Sequence, residues 1–168
     1  MGTFVGKYRA TVLDNNDPMQ MGRLSVQVPD VSNVLSSTWA MPSAPFAGSQ
    51  SGSIAVPPVG ASVWVEFEQG DSDYPIWSGG FWGSSAEVPP MALAAPPGVQ
   101  AIVIQSVGGN ILMLSDVPGS TGGILLKSSS GAMIAINDTG ITIDNGQGAT
   151  ITLTGPSVTV NQGALAVT

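Results

Sequence analysis

The chain has 168 residues, of which only 9% are charged, with a formal net charge of −7 and neither cysteine nor histidine. That composition excludes disulfides, a thiolate nucleophile, an imidazole base and an ordinary zinc site, and four bases are too few for a nucleic-acid-binding role that rests on neutralising phosphates. A mean hydropathy of +0.29 with so little charge points to apolar surface buried in an oligomer.

Residues 31–65 and 88–115 carry no charge at all. Neither stretch reads as a membrane span, because Pro42, Pro45, Pro57 and Pro58 interrupt the first and Pro89, Pro90, Pro96 and Pro97 the second. The first residues lack the basic and apolar regions of a secretory signal, and Gly6 stands where a myristoylation motif wants Ser or Thr. With 22 glycines and 13 prolines no long 3.6-residue periodicity survives, and the predicted fold class is all-β.

Residues 1–83 read as the first domain. Residues 5–13 alternate like a half-buried strand, and Asp14 to Pro18 is turn chemistry. Residues 22–29 form a second strand with Leu24, Val26 and Val28 on one face. A looser segment with Trp39, Met41 and Phe46 follows. Residues 60–68 are a third clear strand with Val63, Val65 and Phe67 facing one way, Gly70 to Asp73 is a turn, and residues 74–81 are the last strand. About five strands in some 80 residues fit a small closed Greek-key barrel.

Residues 84–100 are rich in Pro and Ala and read as an extended, fairly stiff linker. Residues 101–168 hold eight short apolar runs separated by glycine turns, with eleven of the 22 glycines among them. Two-residue alternation predicts one inward face. It carries Ile102 and Ile104, Leu112 and Leu114, Ile124 and Leu126, Ile134 and Ile136, Ile141 and Ile143, Ile151 and Leu153, Val158 and Val160, and Leu165 and Val167. Lys127 then points outward. Residues 109–116 echo residues 131–138 at an offset of 22. Strands this short cannot bury a core alone, but they can when copies wrap around one another, so the segment is expected to be a rod shared by several chains.

The candidate chemical residues have plainer readings. Glu66 and Glu68 share a strand face, as paired acid–base carboxylates do in glycosidases, but no cleft signature accompanies them and a solvated face is favoured. Asp14, Asp17, Asp71 and Asp73 do not match a calcium loop and read as turn caps. Asp116, Asp138 and Asp144 read as corner residues. Trp39, Trp64, Trp77, Phe81 and Trp82 could stack bases or sugars, yet the acidic charge favours barrel core or contacts between proteins. Lys7 and Arg9 alternate on strand one and Arg23 opens strand two; isolated surface charges and contact with an acidic partner are equal readings.

The two units in this order resemble the central spike proteins of contractile injection machines, which include phage baseplate assembly protein V and VgrG spikes. The OB-fold pattern of that family is matched by residues 8–13, Asp17-Pro18, Gly22-Arg23, Trp39 with residues 42–48, residues 57–60 leading to Val63, Gly70-Asp71, Pro75 and Gly79. The trimeric β-helix pattern is matched by residues 106–116, Pro118-Gly119 and residues 137–143. The resemblance implies an OB barrel, a linker and an intertwined homotrimeric β-helix, with no enzymatic activity and no cofactor. It implies a separate hub protein of the tail baseplate as partner, with Lys7, Arg9 and Arg23 as the candidate hub contact, because several relatives carry a hub domain ahead of the barrel and this chain starts at the barrel. It also implies a PAAR-type tip protein at the far end. The inserted lysozyme domain and the histidine iron site of some relatives have no counterpart here. The expected role is a structural spike in a phage tail baseplate or another contractile particle. It would puncture the target envelope on sheath contraction and meet the membrane only transiently. A glycan-binding adhesin or tail-fibre module is the alternative.

Overall fold

The computed structural model describes residues 3–31 and 38–167. The chain divides into two compact units, Met1–Glu87 and Val88–Thr168.

The first unit is built on β1 (Tyr8–Asp14), β2 (Ser25–Gln27), β3 (Met41–Pro42), β4 (Ala47–Gly48), β5 (Ser51–Gly52), β6 (Ser62–Phe67) and β7 (Pro75–Gly80). Five of these form one sheet in the order β2–β1–β6–β7–β3, antiparallel except where β3 runs parallel to β7. Period-two alternation sends Ala10, Val12, Val26, Val63, Val65 and Trp77 to one side, where they pack with Leu24, Val28 and Ala40 into a single core. The two sheet edges, β2 and β3, are each preceded by a residue of a lone antiparallel bridge, Leu24 and Ala40. Their backbones exchange hydrogen bonds of 3.0 and 2.7 Å, which joins the edges and closes the strands into an OB-type barrel. Trp77 fills the core and donates its indole N–H to the Gly22 carbonyl at 3.0 Å, so its one polar atom is satisfied. The uncharged loop that the sequence leaves without strands holds β3 and the small β4–β5 hairpin, and its Phe46 is exposed.

Residues 84–100 depart from the extended linker expected. Ser85–Glu87 is a 3-10 turn, and Pro90–Leu93 is a single helical turn, α1, that starts at a proline and lies beside the next strand. Proline at the first helical position costs no hydrogen bond and presets φ, so this Pro/Ala run is as compatible with a helical turn as with extended chain.

The second unit holds β8 (Ala101–Gln105), β9 (Ile111–Ser115), β10 (Gly123–Lys127), β11 (Met133–Asn137), β12 (Gly140–Asp144), β13 (Thr150–Thr154), β14 (Ser157–Val160) and β15 (Leu165–Val167). They form one eight-stranded sheet in chain order, and every neighbouring pair is antiparallel. At about 4.8 Å between strands the sheet measures about 34 Å across.

The offset-22 echo has a geometric cause. In the β8–β9 turn Ser106 donates its backbone N–H to Asn110 O at 3.0 Å, and Gly109 donates to Ser106 O at 2.9 Å. In the β10–β11 turn Ser128 donates to Ala132 O at 2.8 Å, and Gly131 to Ser128 O at 3.1 Å. The same turn recurs two strands later. Side chains tie these corners together: Asn110 Oδ1 accepts from Ser129 N–H at 3.1 Å, Asp138 Oδ2 from Gly119 N–H at 2.7 Å, and Asn161 Oδ1 from Thr150 N–H at 3.0 Å.

Candidate functional site

The residues predicted to face inward fall into two unbroken rows across the second sheet. Ile102, Leu114, Ile124, Ile136, Ile141, Leu153, Val158 and Val167 stand opposite one another from β8 to β15. Ile104, Leu112, Leu126, Ile134, Ile143, Ile151, Val160 and Leu165 form the second row. All sixteen positions share one face because each strand contributes residues two apart and each turn preserves register. Val167 belongs to the first row by its register, and its side chain lies outside those described.

Among the described residues of one chain, nothing covers most of this face. Twelve of the sixteen side chains are exposed, from 36% at Leu112 to 63% at Ile104, while Ile141, Leu153 and Val160 are half-buried. An Ile or Leu contributes about 1.5–3 kcal/mol when fully withdrawn from water, so each half-exposed side chain stands to contribute about 1 kcal/mol more once covered. A contiguous apolar face that crosses all eight strands marks an interface.

The opposite face changes character along the sheet. Its central row runs Val103, Met113, Leu125, Ala135, Thr142, Thr152, Thr159 and Ala166. Met113 is buried within the single chain, so this face is already covered at the β9 position. Alternation alone places Met113 with the outward residues, and no local signal in the sequence distinguishes it from them. Lys127 lies on this face, opposite Ile111 and Met133, away from the apolar rows.

The fold gives the three cations of the barrel different partners. Arg23 donates from Nε and Nη2 to Asp17 Oδ1 at 3.0 and 2.7 Å, and its guanidinium lies 5.7 Å from the centre of the Trp39 ring. Asp17, only 7% exposed, also accepts backbone N–H bonds from Met19, Met21 and Arg23. The Arg23 guanidinium holds the Asp17 carboxyl well below the usual carboxylate range; the backbone N–H groups act in the same sense and burial opposes them. The pair pushes Arg23 further up from its ordinary value. Arg23 is thus bound into the turn that precedes β2. Asp17 does cap a turn, and it also carries an ion pair that spacing alone does not show.

Lys7 pairs with Glu66 Oε1 at 2.7 Å and donates to Ser78 Oγ at 2.6 Å. Arg9, opposite Trp64 in the β1–β6 register, lies 5.5 Å from the Trp64 ring centre and 4.9 Å from that of Phe81. Glu68 sits in the 3-10 turn Glu68–Gly70 after β6 has ended, so Glu66 and Glu68 do not share a strand face. Of the aromatic residues considered for the barrel core only Trp77 is in it; Trp64 and Phe81 meet with ring centres 4.7 Å apart and planes tilted by 40°, and Trp82 is exposed. Asp144 Oδ1 accepts from Gly146 N–H at 2.6 Å and Asp71 Oδ1 from Asp73 N–H at 3.0 Å, as turn caps do. Among the described residues no group of three or more acidic, His or Cys side chains could hold a metal ion, and no helix is long and apolar enough to cross a membrane.

Comparison with known proteins follows the same division. Residues 8–82 match the type VI secretion system/phage-baseplate injector OB domain, and residues 101–166 match the phage baseplate V C-terminal trimerisation domain. The chain is 36% identical over 108 residues, 59% of its length, to the type VI secretion system spike protein VgrG3 of Vibrio cholerae. It is 39% identical over 74 residues, 42% of its length, to the spike protein VgrG1c of Pseudomonas aeruginosa. In each case the match spans about 10% of the relative's own length. An OB domain followed by a baseplate V trimerisation domain accounts for most of the sequence, and the chain belongs to the phage baseplate V family of injector proteins.

Proposed function

We propose that three copies of this chain form the axial spike of a contractile tail or secretion apparatus. The observation that carries the reading is the pair of apolar rows from Ile102 and Ile104 to Leu165, uncovered in one chain and lying in the segment that matches a trimerisation domain. Three such sheets turned inward would enclose a dry core of Ile, Leu and Val. Corners of Asn, Asp and Ser and an outer face rich in Thr would meet water without long charged side chains. The barrels would seat on the hub at the end of the tail tube, and a PAAR-type tip protein would cover the far end of the rod.

The mechanism is mechanical. Contraction of a sheath drives the tube forward with the rod leading, and the rod must transmit force without unfolding. Resistance would come from each chain burying its apolar face against two others. Separating one chain would expose all of that face at once, which gives a high barrier and slow unfolding. No reaction is assigned. The chain has no His or Cys, and its paired-carboxylate candidate is divided between a strand and a turn. Puncture of the target envelope, with only transient membrane contact, is the expected outcome of the stroke.

The test is localisation in purified contractile particles by cryo-electron microscopy. The expected result is a threefold density on the tube axis at the baseplate into which the sheet fits with Ile134 and Ile143 toward the axis. Finding the chain in peripheral fibres would overturn the reading in favour of an adhesin.

A further inference from the structure

Arg9 is the one cation of the barrel unit that has no carboxylate partner among the described residues. Lys7 takes Glu66 at 2.7 Å and Arg23 takes Asp17 at 2.7 Å. Arg9 is exposed and lies over two rings, Trp64 at 5.5 Å and Phe81 at 4.9 Å, and its N–H donors meet no acceptor among the described residues. A guanidinium held against rings loses little further freedom when it binds, and it keeps its N–H donors for a planar acceptor. In a chain with eleven acidic and four basic residues, an unpaired arginine has many internal carboxylates to choose from. The nearest on its own sheet face, Glu66, is already neutralised by Lys7. The patch is therefore electrostatically incomplete in a specific way: it is cationic, ring-bounded and exposed.

We infer that the Arg9–Trp64–Phe81 patch is where the barrel docks on a second protein of the assembly, through an Asp or Glu of that partner set in apolar surroundings. The inference rests on the spike reading and narrows its hub contact from three cations to one. Charge complementarity carries it: an apolar partner would leave the guanidinium buried and unpaired, a loss of its hydration without compensation. A carboxylate accepts two parallel N–H bonds from the fork while its apolar neighbours cover the rings. Phosphate has the same fork geometry, but a net charge of −7 repels a polyanion.

Zero-length carbodiimide coupling of particles that carry the Arg9→Lys chain tests this, because an amide forms only where an amine touches a carboxylate. Lys7 and Glu66 provide the internal control. The expected result is a link from the amine introduced at position 9 to an Asp or Glu of another protein. It is accompanied by at least a tenfold loss of Arg9→Glu chain from particles, rescued when the linked carboxylate is changed to Arg. Particles that incorporate Arg9→Glu normally, with Lys7–Glu66 coupled and the position-9 amine uncoupled, overturn the inference and leave the spike reading intact. A link from that amine to another copy of this chain overturns the assigned partner. Binding of a single-stranded oligonucleotide to the free protein, abolished by Arg9→Glu, makes the ligand a phosphate and also overturns it. Absence of the wild-type chain from the particles overturns both.

Discussion

Arg23 reaches back six residues to Asp17 and places two N–H groups on one carboxylate oxygen, at 3.0 and 2.7 Å, while the other oxygen receives the backbone N–H of Met21 at 2.8 Å. The pair fixes the turn that delivers Leu24 to its bridge with Ala40, and that bridge closes the barrel. A local ion pair thus sets a long-range connection.

Asp17→Asn keeps the shape and removes the charge. It should lower the melting temperature of the barrel at pH 7 by on the order of 5 °C. The pH dependence has a definite sign. Because the folded-state pKa of Asp17 lies below its unfolded value, the stabilisation is complete above the ordinary aspartate pKa of about 3.9 and is lost as pH falls toward the folded value. Thermal melts of both proteins should therefore keep a constant gap above about pH 5 and begin to draw together below about pH 4, with much of the gap still present at about pH 3 because the folded value lies lower still. A gap that does not narrow at all as the pH is taken below about 3 would show that the ionised carboxylate is not the stabilising species.

The apolar rows predict a sharp difference between the two faces of one sheet. Ile134→Asp and Leu153→Asp would each bury an unpaired charge three times in a trimer, at several kcal/mol per site, and should abolish assembly. Thr152→Asp, one residue from Leu153 on the opposite face, should change stability by only about 0.5 kcal/mol. Light scattering on the three variants checks this, and a trimeric Leu153→Asp would place the apolar face on the outside.

Gly140 and Gly148 both have positive φ, of +140° and +99°, but differ in their surroundings. A Cβ at Gly140 would run into the carbonyl oxygen of Leu153, the residue across the β12–β13 ladder from Ile141, whereas nothing lies within 4 Å of one at Gly148. Gly148→Ala should cost only backbone strain, about 1–2 kcal/mol. Gly140→Ala should cost more, since β12 and β13 must separate locally to admit it. Comparing chemical denaturation midpoints of the two variants decides the point; equal losses would mean that strain alone governs both positions.

Much of this architecture is legible from the residues because alternation and turn chemistry agree. All eight strands of the second unit coincide with the apolar runs, since Ile-x-Ile bounded by Gly leaves a chain few other choices. In the barrel, Leu24, Val26 and Val28 are buried as alternation requires. What alternation cannot see is pairing between distant residues. Ala40 is too small to announce the closing bridge, and Arg23 reads as a surface charge until the turn brings Asp17 to it. Arg9 looks like Lys7 in sequence, yet Lys7 faces Glu66 and Arg9 faces two rings, a distinction made only by the β1–β6 register and by the return of β7 toward Phe81. Residues 84–100 mislead for another reason: proline fixes φ at a value common to extended chain and to the first turn of a helix.

If the oligomer determinant lies in the second unit, a fragment of residues 1–87 should behave as a barrel of single-chain mass. Its core of Val12, Leu24, Val26, Val63 and Val65 is closed within one chain and needs no partner. Size exclusion with light scattering on that fragment should give a monomer at micromolar concentration, and a stable trimer would relocate the determinant to the barrel.

The shared apolar core is tested most simply by the solution mass of the whole chain from light scattering, repeated as gel mobility in SDS without heating. A mass near three times 17.0 kDa that persists in SDS is expected, because the apolar rows from Ile102 to Leu165 are then mutually buried. A mass of 17.0 kDa at micromolar concentration would contradict a shared core, since that face would then stand open to water in the native state.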